Sequence, residues 1–308
     1  MSRRILITGG AGFIGSHLVR HFEGRAEVTV LDDLRSGHER NLAGAACRFV
    51  RGSILDAAAL RQAIEGVEEV YHLAAMVSVP ESVSKPAECA LLNTEGTRLV
   101  LAAAVAAGAR KVVLASSAAI YGDNPTVPKR ESMAPEPKSP YAETKLAGEH
   151  LLEEFRKKHG LGTTSLRFFN VFGPRQDPRS AYAAAVPIFI AKALRDEPIG
   201  IHGDGGQTRD FIHVADIVGA LAYAGASREM SGTYNVGYGR SQSILELAQE
   251  IIRQTGSRSL IEHLPVRAGD VRHSLASTER LLAAGWRPCS SVSEGLAATI
   301  AYFRNLKA

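Results

Sequence analysis

Along the first 170 residues, short runs of mostly apolar residues alternate with longer stretches of helical periodicity. Arg4–Thr8, Glu27–Leu31, Arg48–Val50, Glu69–Leu73, Lys111–Ala115 and Thr163–Arg167 have the length and β-branched content of strands. They lack the in-out alternation of a strand with one wet face. That predicts a parallel sheet covered by helices on both sides and joined by right-handed crossovers. The predicted fold class is α/β, a doubly wound parallel sheet of the nucleotide-binding kind.

Past Asn170 the pattern changes. Gly173-Pro174-Arg175 and Asp177-Pro178 mark a long loop, a helix is expected over Ala181–Arg195, and a turn at Gly203–Gly206 precedes the segment Arg209–His213. Val214–Ala226 and Gly232–Val236 return to the sheet layer. A helix near Ile244–Thr255, a short strand near Leu260 and a closing helix over Val292–Phe303 follow. The expected division is 1–170 plus about 210–238 for a nucleotide-binding domain, and 171–209 plus about 239–308 for a smaller α/β C-terminal substrate domain.

Composition adds little to this picture. The 308 residues are 45% hydrophobic and 22% charged, enough for a substantial core. The net charge of +4 is scattered, with only short clusters such as Arg156-Lys157-Lys158, so no nucleic-acid partner is expected. Cys47, Cys89 and Cys289 form no Cys-x-x-Cys spacing, and none of the ten histidines sits in a metal-binding pattern. Reduced, buried thiols, no metal and a cytoplasmic location are the expectations. Leu99–Ala109 and Ala181–Ala193, the longest apolar runs, fall short of the ~18 residues a membrane span needs, and Pro187 breaks the second. No membrane partner is expected. Arg3-Arg4 and the apolar residues after them imitate a secretory leader, but the spaced glycines that follow suit a phosphate loop.

Those glycines lie in Thr8-Gly9-Gly10-Ala11-Gly12-Phe13-Ile14-Gly15, where the first strand ends and a helix begins. Such a turn needs glycine to reverse tightly, to bring backbone N–H groups to a pyrophosphate, and to let helix and sheet pack closely. Asp32 stands 20 residues after Gly12 (32 − 12 = 20), with Asp33 next to it, at the end of the second strand. A carboxylate there takes both hydroxyls of an adenosine ribose and repels a 2′-phosphate. NAD is therefore favoured as cofactor, with Arg35 and Arg40 keeping NADP open. His72-Leu73-Ala74-Ala75 places small residues where a cofactor crosses the sheet edge, His72 itself reading as a packed strand residue.

In Ser139-Pro140-Tyr141-Ala142-Glu143-Thr144-Lys145, a phenol and an ammonium stand four residues apart on one helical face. A free tyrosine titrates near pH ~10, and a close positive charge makes it more acidic. The pair reads as a proton-transfer device, although the spacing also suits a plain amphipathic turn.

The fifth strand runs into Leu114-Ala115-Ser116-Ser117-Ala118-Ala119-Ile120-Tyr121-Gly122. With Gly9-x-x-Gly12-x-x-Gly15 and Tyr141-x-x-x-Lys145, this order of motifs resembles the extended short-chain dehydrogenase/reductase family, the NAD-dependent epimerases and dehydratases of nucleotide sugars. The resemblance covers nearly the whole chain and implies a Rossmann-type fold. It implies that Ser117 hydrogen-bonds the reacting oxygen, that Tyr141 is the acid/base, and that Lys145 lowers the phenol pKa and grips the nicotinamide ribose. Gly9, Gly12, Phe13, Ile14, Gly15, Asp32, Asp33, Leu73, Ala74 and Ala75 are the implied cofactor contacts. Related dehydratases and decarboxylases place an additional acid directly after the serine or threonine. Here those positions are Ala118 and Ala119, whose methyl groups transfer no proton. The chemistry left is oxidation and re-reduction of one carbon, that of a UDP-hexose 4-epimerase with tightly held NAD.

By the same resemblance, Arg209 and Arg267 clamp the diphosphate, a task suited to guanidinium forks. Asp270 orients the second arginine and the uridine ribose, Asn170 binds substrate, His202 lies against uracil and Ser78 contacts the sugar. Phe169–Pro178, continuing into Ala181–Pro187, and Gly269–Ser274 resemble epimerases of UDP-N-acetylhexosamines. In that family a bulky residue at the Ser274 position excludes the acetamide and a small one admits it. UDP-GlcNAc and UDP-GalNAc are the expected substrates, with UDP-Glc and UDP-Gal alongside. A UDP-glucuronate 4-epimerase or decarboxylase and a non-catalytic NAD-binding protein are the alternatives. The helices near Ala87–Ala107 and Tyr141–Lys158 correspond to elements that pair across a homodimer in this family.

Overall fold

The computed structural model describes residues 3–178, 184–266 and 271–306. Seven strands form one parallel sheet: β1 (Arg4–Thr8), β2 (Glu27–Asp32), β3 (Arg48–Arg51), β4 (Glu69–His72), β5 (Lys111–Ser117), β6 (Gly162–Phe168) and, far along the chain, β11 (Gly232–Val236). Their order is β3-β2-β1-β4-β5-β6-β11, so the sheet reverses direction between β1 and β4. The near-continuous apolar runs have the reason expected of them. In β1, Ile5 and Ile7 point into the core shared with α1 (Phe13–His21) and α8 (Val214–Ala226), while Leu6 points into the opposite core. In β5, Val113 faces the first core, and Val112 and Leu114 face the second.

The second core is closed by α2 (Ala57–Ile64), by the helical run of α4 (Pro86–Ala90) and α5 (Gly96–Ala106) joined through one wide turn at Leu91–Glu95, and by α6 (Pro140–His159). Length and composition alone would let Pro86–Ala106 cross a membrane. In the fold it is a core helix: Cys89, Asn93, Thr97, Val100, Leu101 and Ala104 are buried, and the Asn93 amide bonds both backbone atoms of Met76 and the Thr144 hydroxyl. The short helix α3 (Val79–Ser84) precedes it. The Ser82 hydroxyl accepts the Tyr141 N–H (3.1 Å), tying the start of α6 to α3. α6 starts at its Ser139 cap with Pro140 in the first turn and stops at Gly160 in the left-handed conformation.

A third core lies under α7 (Ala185–Ala193), α9 (Ile244–Thr255) and α11 (Val292–Asn305), with Phe172, Ile190, Ile201, Phe211, Ile251 and Ile300 at its centre. Three strand pairs flank it. β7 (Asn170–Phe172) pairs with β10 (Phe211–His213), β8 (Ile199–His202) with β13 (Ile261–Leu264), and β9 (Thr208–Arg209) with β12 (Gln242–Ser243). Leu281 on α10 (Glu279–Ala283) and Trp286 just beyond it join the first sheet core. The stretch expected as Arg209–His213 is split at Asp210, because that side chain turns inward and takes three backbone N–H groups. The expectation of buried thiols holds only for Cys89. Cys47 is half-buried, and Cys289 is exposed because its segment lies outside the helices, where the Cys289 and Ser290 N–H groups bind Asp216.

Candidate active site

A cavity of about 530 Å³ runs along the carboxyl ends of β1 through β6, the edge at which doubly wound sheets bind their ligands. Every cofactor and catalytic position expected from the sequence lies on its wall: Gly9, Gly12, Phe13, Ile14, Gly15, Asp32, Asp33, Leu73, Ala74, Ala75, Ser117, Tyr141 and Lys145.

The glycine turn is built to closest approach. Gly9 has φ +72°, and a Cβ on it would stand 2.7 Å from the Ala74 nitrogen. A Cβ on Gly15 would stand 2.2 Å from the Gly9 carbonyl oxygen. These contacts leave the first turn of α1 facing the cavity with free N–H groups, an arrangement that favours a pyrophosphate. Asp32 holds the turn: its two carboxylate oxygens accept the Ala11 N–H (2.9 Å) and the Leu34 N–H (2.8 Å). Burial pushes its pKa up, and the two backbone N–H groups pull it back. Each oxygen keeps a further lone pair for a ribose hydroxyl. Arg35, one of the two residues that kept NADP open, is bound to Glu81 (2.7 Å) and Glu88. With its charge engaged there, a 2′-phosphate would meet Asp32 and Asp33 instead. The cradle, the helix terminus and the placed carboxylate together fit NAD.

Lys145 is buried and Tyr141 lines the cavity one helical turn before it. The Lys145 Nζ donates to the Ala115 carbonyl (2.8 Å) and stands 5.7 Å from the centre of the Tyr141 ring. Ser117 closes the triangle from the end of β5. Its hydroxyl accepts the Ala119 N–H (3.1 Å) and faces the Tyr141 phenol closely enough to favour the anion. The electrostatics depart from the expectation that Lys145 makes the phenol acidic. Burial pushes the Tyr141 pKa above the ordinary phenol value, the Ser117 hydroxyl pulls it part of the way back, and nearby Cys89 adds to the rise. Lys145 is itself pushed down to about 8 by burial, with its ammonium spent on a carbonyl. The pair alone therefore supplies the geometry of proton transfer and leaves the acidification to a further positive charge. His72 is a packed strand residue, bonded to the Thr8 and Thr97 hydroxyls and driven down to about 3 by burial. Ala118 is half-buried beside Tyr121, Phe169 and Ala276, and Ala119 follows it in the short helix Ala118–Tyr121.

The substrate positions are less concentrated. Arg209 on β9 donates to the Thr208 carbonyl (2.9 Å), and the Ser274 N–H bonds that same carbonyl (3.1 Å), so Arg209 and Ser274 flank one residue. Asn170 opens β7 and binds the Asp210 carbonyl through both its amides. Asp210 is wholly buried and accepts the N–H groups of Tyr238, Gly239 and Ala276 (2.7, 3.0 and 3.1 Å), which fastens the Ser274 segment to Arg209. Burial raises it to about 6 against those three donors. His202 is exposed and bonds the Pro265 carbonyl (2.9 Å). Ser78 caps α3 through the Glu81 N–H (3.1 Å), and its neighbour Val77 lines the cavity in its place. Arg267 and Asp270 lie outside the described residues, as do Ala181, Tyr182 and Ala183.

Several lining residues escape the sequence reading. Gly52, Ser53 and Ile54 follow β3 at the same edge, Asn41 bonds the Ala11 carbonyl beneath the glycine turn (2.8 Å), and Arg175 and Gln176 line the cavity from the segment after β7. For the first three, the end of the third strand was a usable signal. Arg175 and Gln176 fall in the Phe169–Pro178 segment that carried the resemblance, whereas Asn41 carries no local signature.

Known proteins resemble this chain in sequence and in fold. The family model described as "NAD dependent epimerase/dehydratase family" matches residues 5–237. A UDP-glucose 4-epimerase of Mycolicibacterium smegmatis is 41% identical over 98% of this chain and 99% of its own. Among solved structures, a UDP-N-acetylglucosamine 4-epimerase from Methanobrevibacter ruminantium M1, in complex with UDP-N-acetylmuramic acid, superposes with TM-score 0.96 at 36% identity, covering 99% of both chains. A UDP-glucose 4-epimerase from Thermotoga maritima, with UDP-glucose, gives 0.94 at 38% identity, covering 99% of this chain and 100% of that one.

Proposed function

The chain belongs to the NAD-dependent epimerase/dehydratase family, and we propose that it is a UDP-sugar 4-epimerase that interconverts UDP-GlcNAc and UDP-GalNAc, and UDP-Glc and UDP-Gal as well. One observation carries the reading: Ser117, Tyr141 and Lys145 meet on the cavity wall, and the residues that follow Ser117 are Ala118 and Ala119.

The glycine turn and Asp32 would hold NAD, which would supply the acceptor and later the donor of the hydride at carbon 4. The Tyr141 oxygen, as the phenolate that the positive charge of bound NAD would favour, takes the proton of the 4-hydroxyl, while the Ser117 hydroxyl holds the reacting oxygen. Buried Lys145, anchored on Ala115, fixes the pair's geometry and would grip the nicotinamide ribose. The 4-keto sugar turns over within the site, and Tyr141 returns its proton to the same oxygen. Because Ala118 and Ala119 carry no acid, no hydroxyl is expelled, and only the face of carbon 4 changes. Arg209, with Arg267, takes the diphosphate, and the small Ser274 leaves room for an acetamide.

The test is to incubate the purified protein with each UDP-sugar without added NAD and to identify the products. Interconversion is expected, falling about a thousandfold in Tyr141→Phe. Failure of the wild type to interconvert any of them would sink the reading. Release of carbon dioxide from UDP-glucuronate would instead support a decarboxylase.

We also infer a homodimer through the outer faces of α4, α5 and α6. Leu91 is 52% exposed there, an apolar side chain a second copy would cover. Leu91→Glu should convert dimer to monomer in sedimentation velocity; a monomeric wild type would refute the inference.

A further inference from the structure

Three consecutive residues of β5 each face a different residue of α6. The Ala115 carbonyl takes the Lys145 ammonium (2.8 Å), the Ser117 hydroxyl meets the Tyr141 phenol, and between them the Ser116 hydroxyl donates to Glu149 Oε1 (2.6 Å). Glu149 follows Tyr141 and Lys145 at intervals of four along the helix, so one stripe of α6 carries all three contacts. The outer two belong to the reaction described above, and the middle one does not.

The middle contact is the most heavily built of the three. Ser116, Glu149 and Arg167 are 3%, 7% and 4% exposed. Arg167, the register partner of Ser116 on β6, forks onto Glu149 with both nitrogens (Nε–Oε1 2.9 Å, Nη2–Oε2 2.7 Å). Its guanidinium lies 4.8 Å over the Tyr121 ring, and the Tyr121 hydroxyl donates to the Asn235 side chain on β11 (2.7 Å). The carboxylate thus binds α6 to β5 and β6 at once, at the height of the reacting groups.

A pair like this is a poor device for stability alone. Well-packed apolar side chains of similar size hold such a place as well or better, because two charges have been taken out of water. What apolar side chains do not provide is direction. A charge-assisted, two-pronged contact fixes the rotation of α6 about its axis and its slide along β5, and those two coordinates set where Tyr141 stands against Ser117. We propose that Glu149 and Arg167 are positioning residues of the proton-transfer step, holding α6 in register with the end of β5 through Ser116. The inference rests on the epimerase reading for its kinetic consequence.

The test uses the full-length protein with its cofactor. Ser116→Ala removes the contact at little cost in volume, and Glu149→Met/Arg167→Met replaces the ion pair with side chains of similar size, so that no buried charge is orphaned. Both should fold with unchanged melting temperature and bound NAD. In each, kcat should fall, about a hundredfold in the double variant because a displacement of about 1 Å costs that much, while KM for the UDP-sugar stays within about twofold.

A second readout needs no substrate: the tyrosinate absorbance of Tyr141, taken as the difference from a Tyr141→Phe partner in each background. Lys145 is faced by Cys89 from α4, His72 from β4, and Tyr141 and Glu149 from its own helix. Glu149 is faced by Ser116 on β5 and Arg167 on β6, and Arg167 in turn by Tyr121 in the short helix. Glu149→Gln removes a negative charge that favours the Lys145 ammonium and lies on the same helical stripe as the phenol, so the Tyr141 phenol should titrate at lower pH than in the wild type. A folded double variant with wild-type kcat, or a Ser116→Ala enzyme that loses kcat only in proportion to folded protein, would overturn the proposal. So would a Tyr141 titration that Glu149→Gln leaves in place. If the wild type turns over no UDP-sugar, the epimerase reading fails, and the titration still judges the positioning role.

Discussion

The ammonium of Lys145 donates to the carbonyl of Ala115 at 2.8 Å, thirty residues back in the chain. Helical spacing alone points it at the phenol of Tyr141. This contact sets both the stability and the chemistry of the site.

Burial lowers Lys145 from its ordinary 10.5 to about 8. Its folded pKa is below its unfolded one, so from about 10 down to about 8 the unfolded chain takes up a proton that the folded protein does not. Stability therefore falls as pH drops through that window, and the penalty, at most about 3 kcal/mol, is complete below it. Lys145→Met should raise the melting temperature at pH 7 while abolishing turnover. Thermal melts of both proteins at pH 7 and pH 10 measure this; an equal difference at the two pH values would refute it.

Asp210 has the opposite sign. Its carboxyl is raised from 3.8 to about 6 by burial, so the stability it contributes is complete below pH 4 and is lost as pH rises through 6. The loss is at most about 3 kcal/mol. Asp210→Asn should remove that slope between pH 4 and 7 relative to the wild type. Because the carboxylate also fastens the Ser274 segment, the variant should raise KM for the UDP-sugar and leave NAD content unchanged.

A methyl group on Gly15 would collide with the Gly9 carbonyl at 2.2 Å and with the Gly10 Cα at 2.7 Å, backbone atoms that have no room to yield. Gly15→Ala is expected to lose bound NAD on purification and roughly 1–3 kcal/mol of stability. Chromatography of the released nucleotide, together with denaturant unfolding, checks both.

Ser274 shares its Thr208 contact with Arg209, which places it beside a diphosphate ligand of the proposed site. Ser274→Tyr should reduce kcat/KM for UDP-GlcNAc at least about tenfold more than for UDP-Glc, the acetamide being the group that loses its space. Equal losses on the two sugars would dismiss the idea of a gate at this position.

The strands of the first half, the glycine turn, Asp32 and the Ser117, Tyr141 and Lys145 constellation were legible because each is written locally. An apolar run, a glycine spacing or an i, i+4 pair needs only its neighbours in the chain. Split strands such as β9 and β10 were not, because the break comes from Asp210 reaching backbone groups at 238, 239 and 276. The capping role of Ser78 and the capture of Arg35 by Glu81 and Glu88 were hidden in the same way.

By itself the sequence determined which groups the site has to work with: a phenol, an ammonium and a hydroxyl, with two alanines following that hydroxyl in the chain. Only the tertiary structure decided how those groups are charged and aimed. Packing removed water from Tyr141 and Lys145, raising one pKa and lowering the other, and β5 offered the carbonyl that took the ammonium. Solvent exclusion and contacts between residues far apart in the chain exist only once the sheet and helices have met, and a pKa is fixed by both.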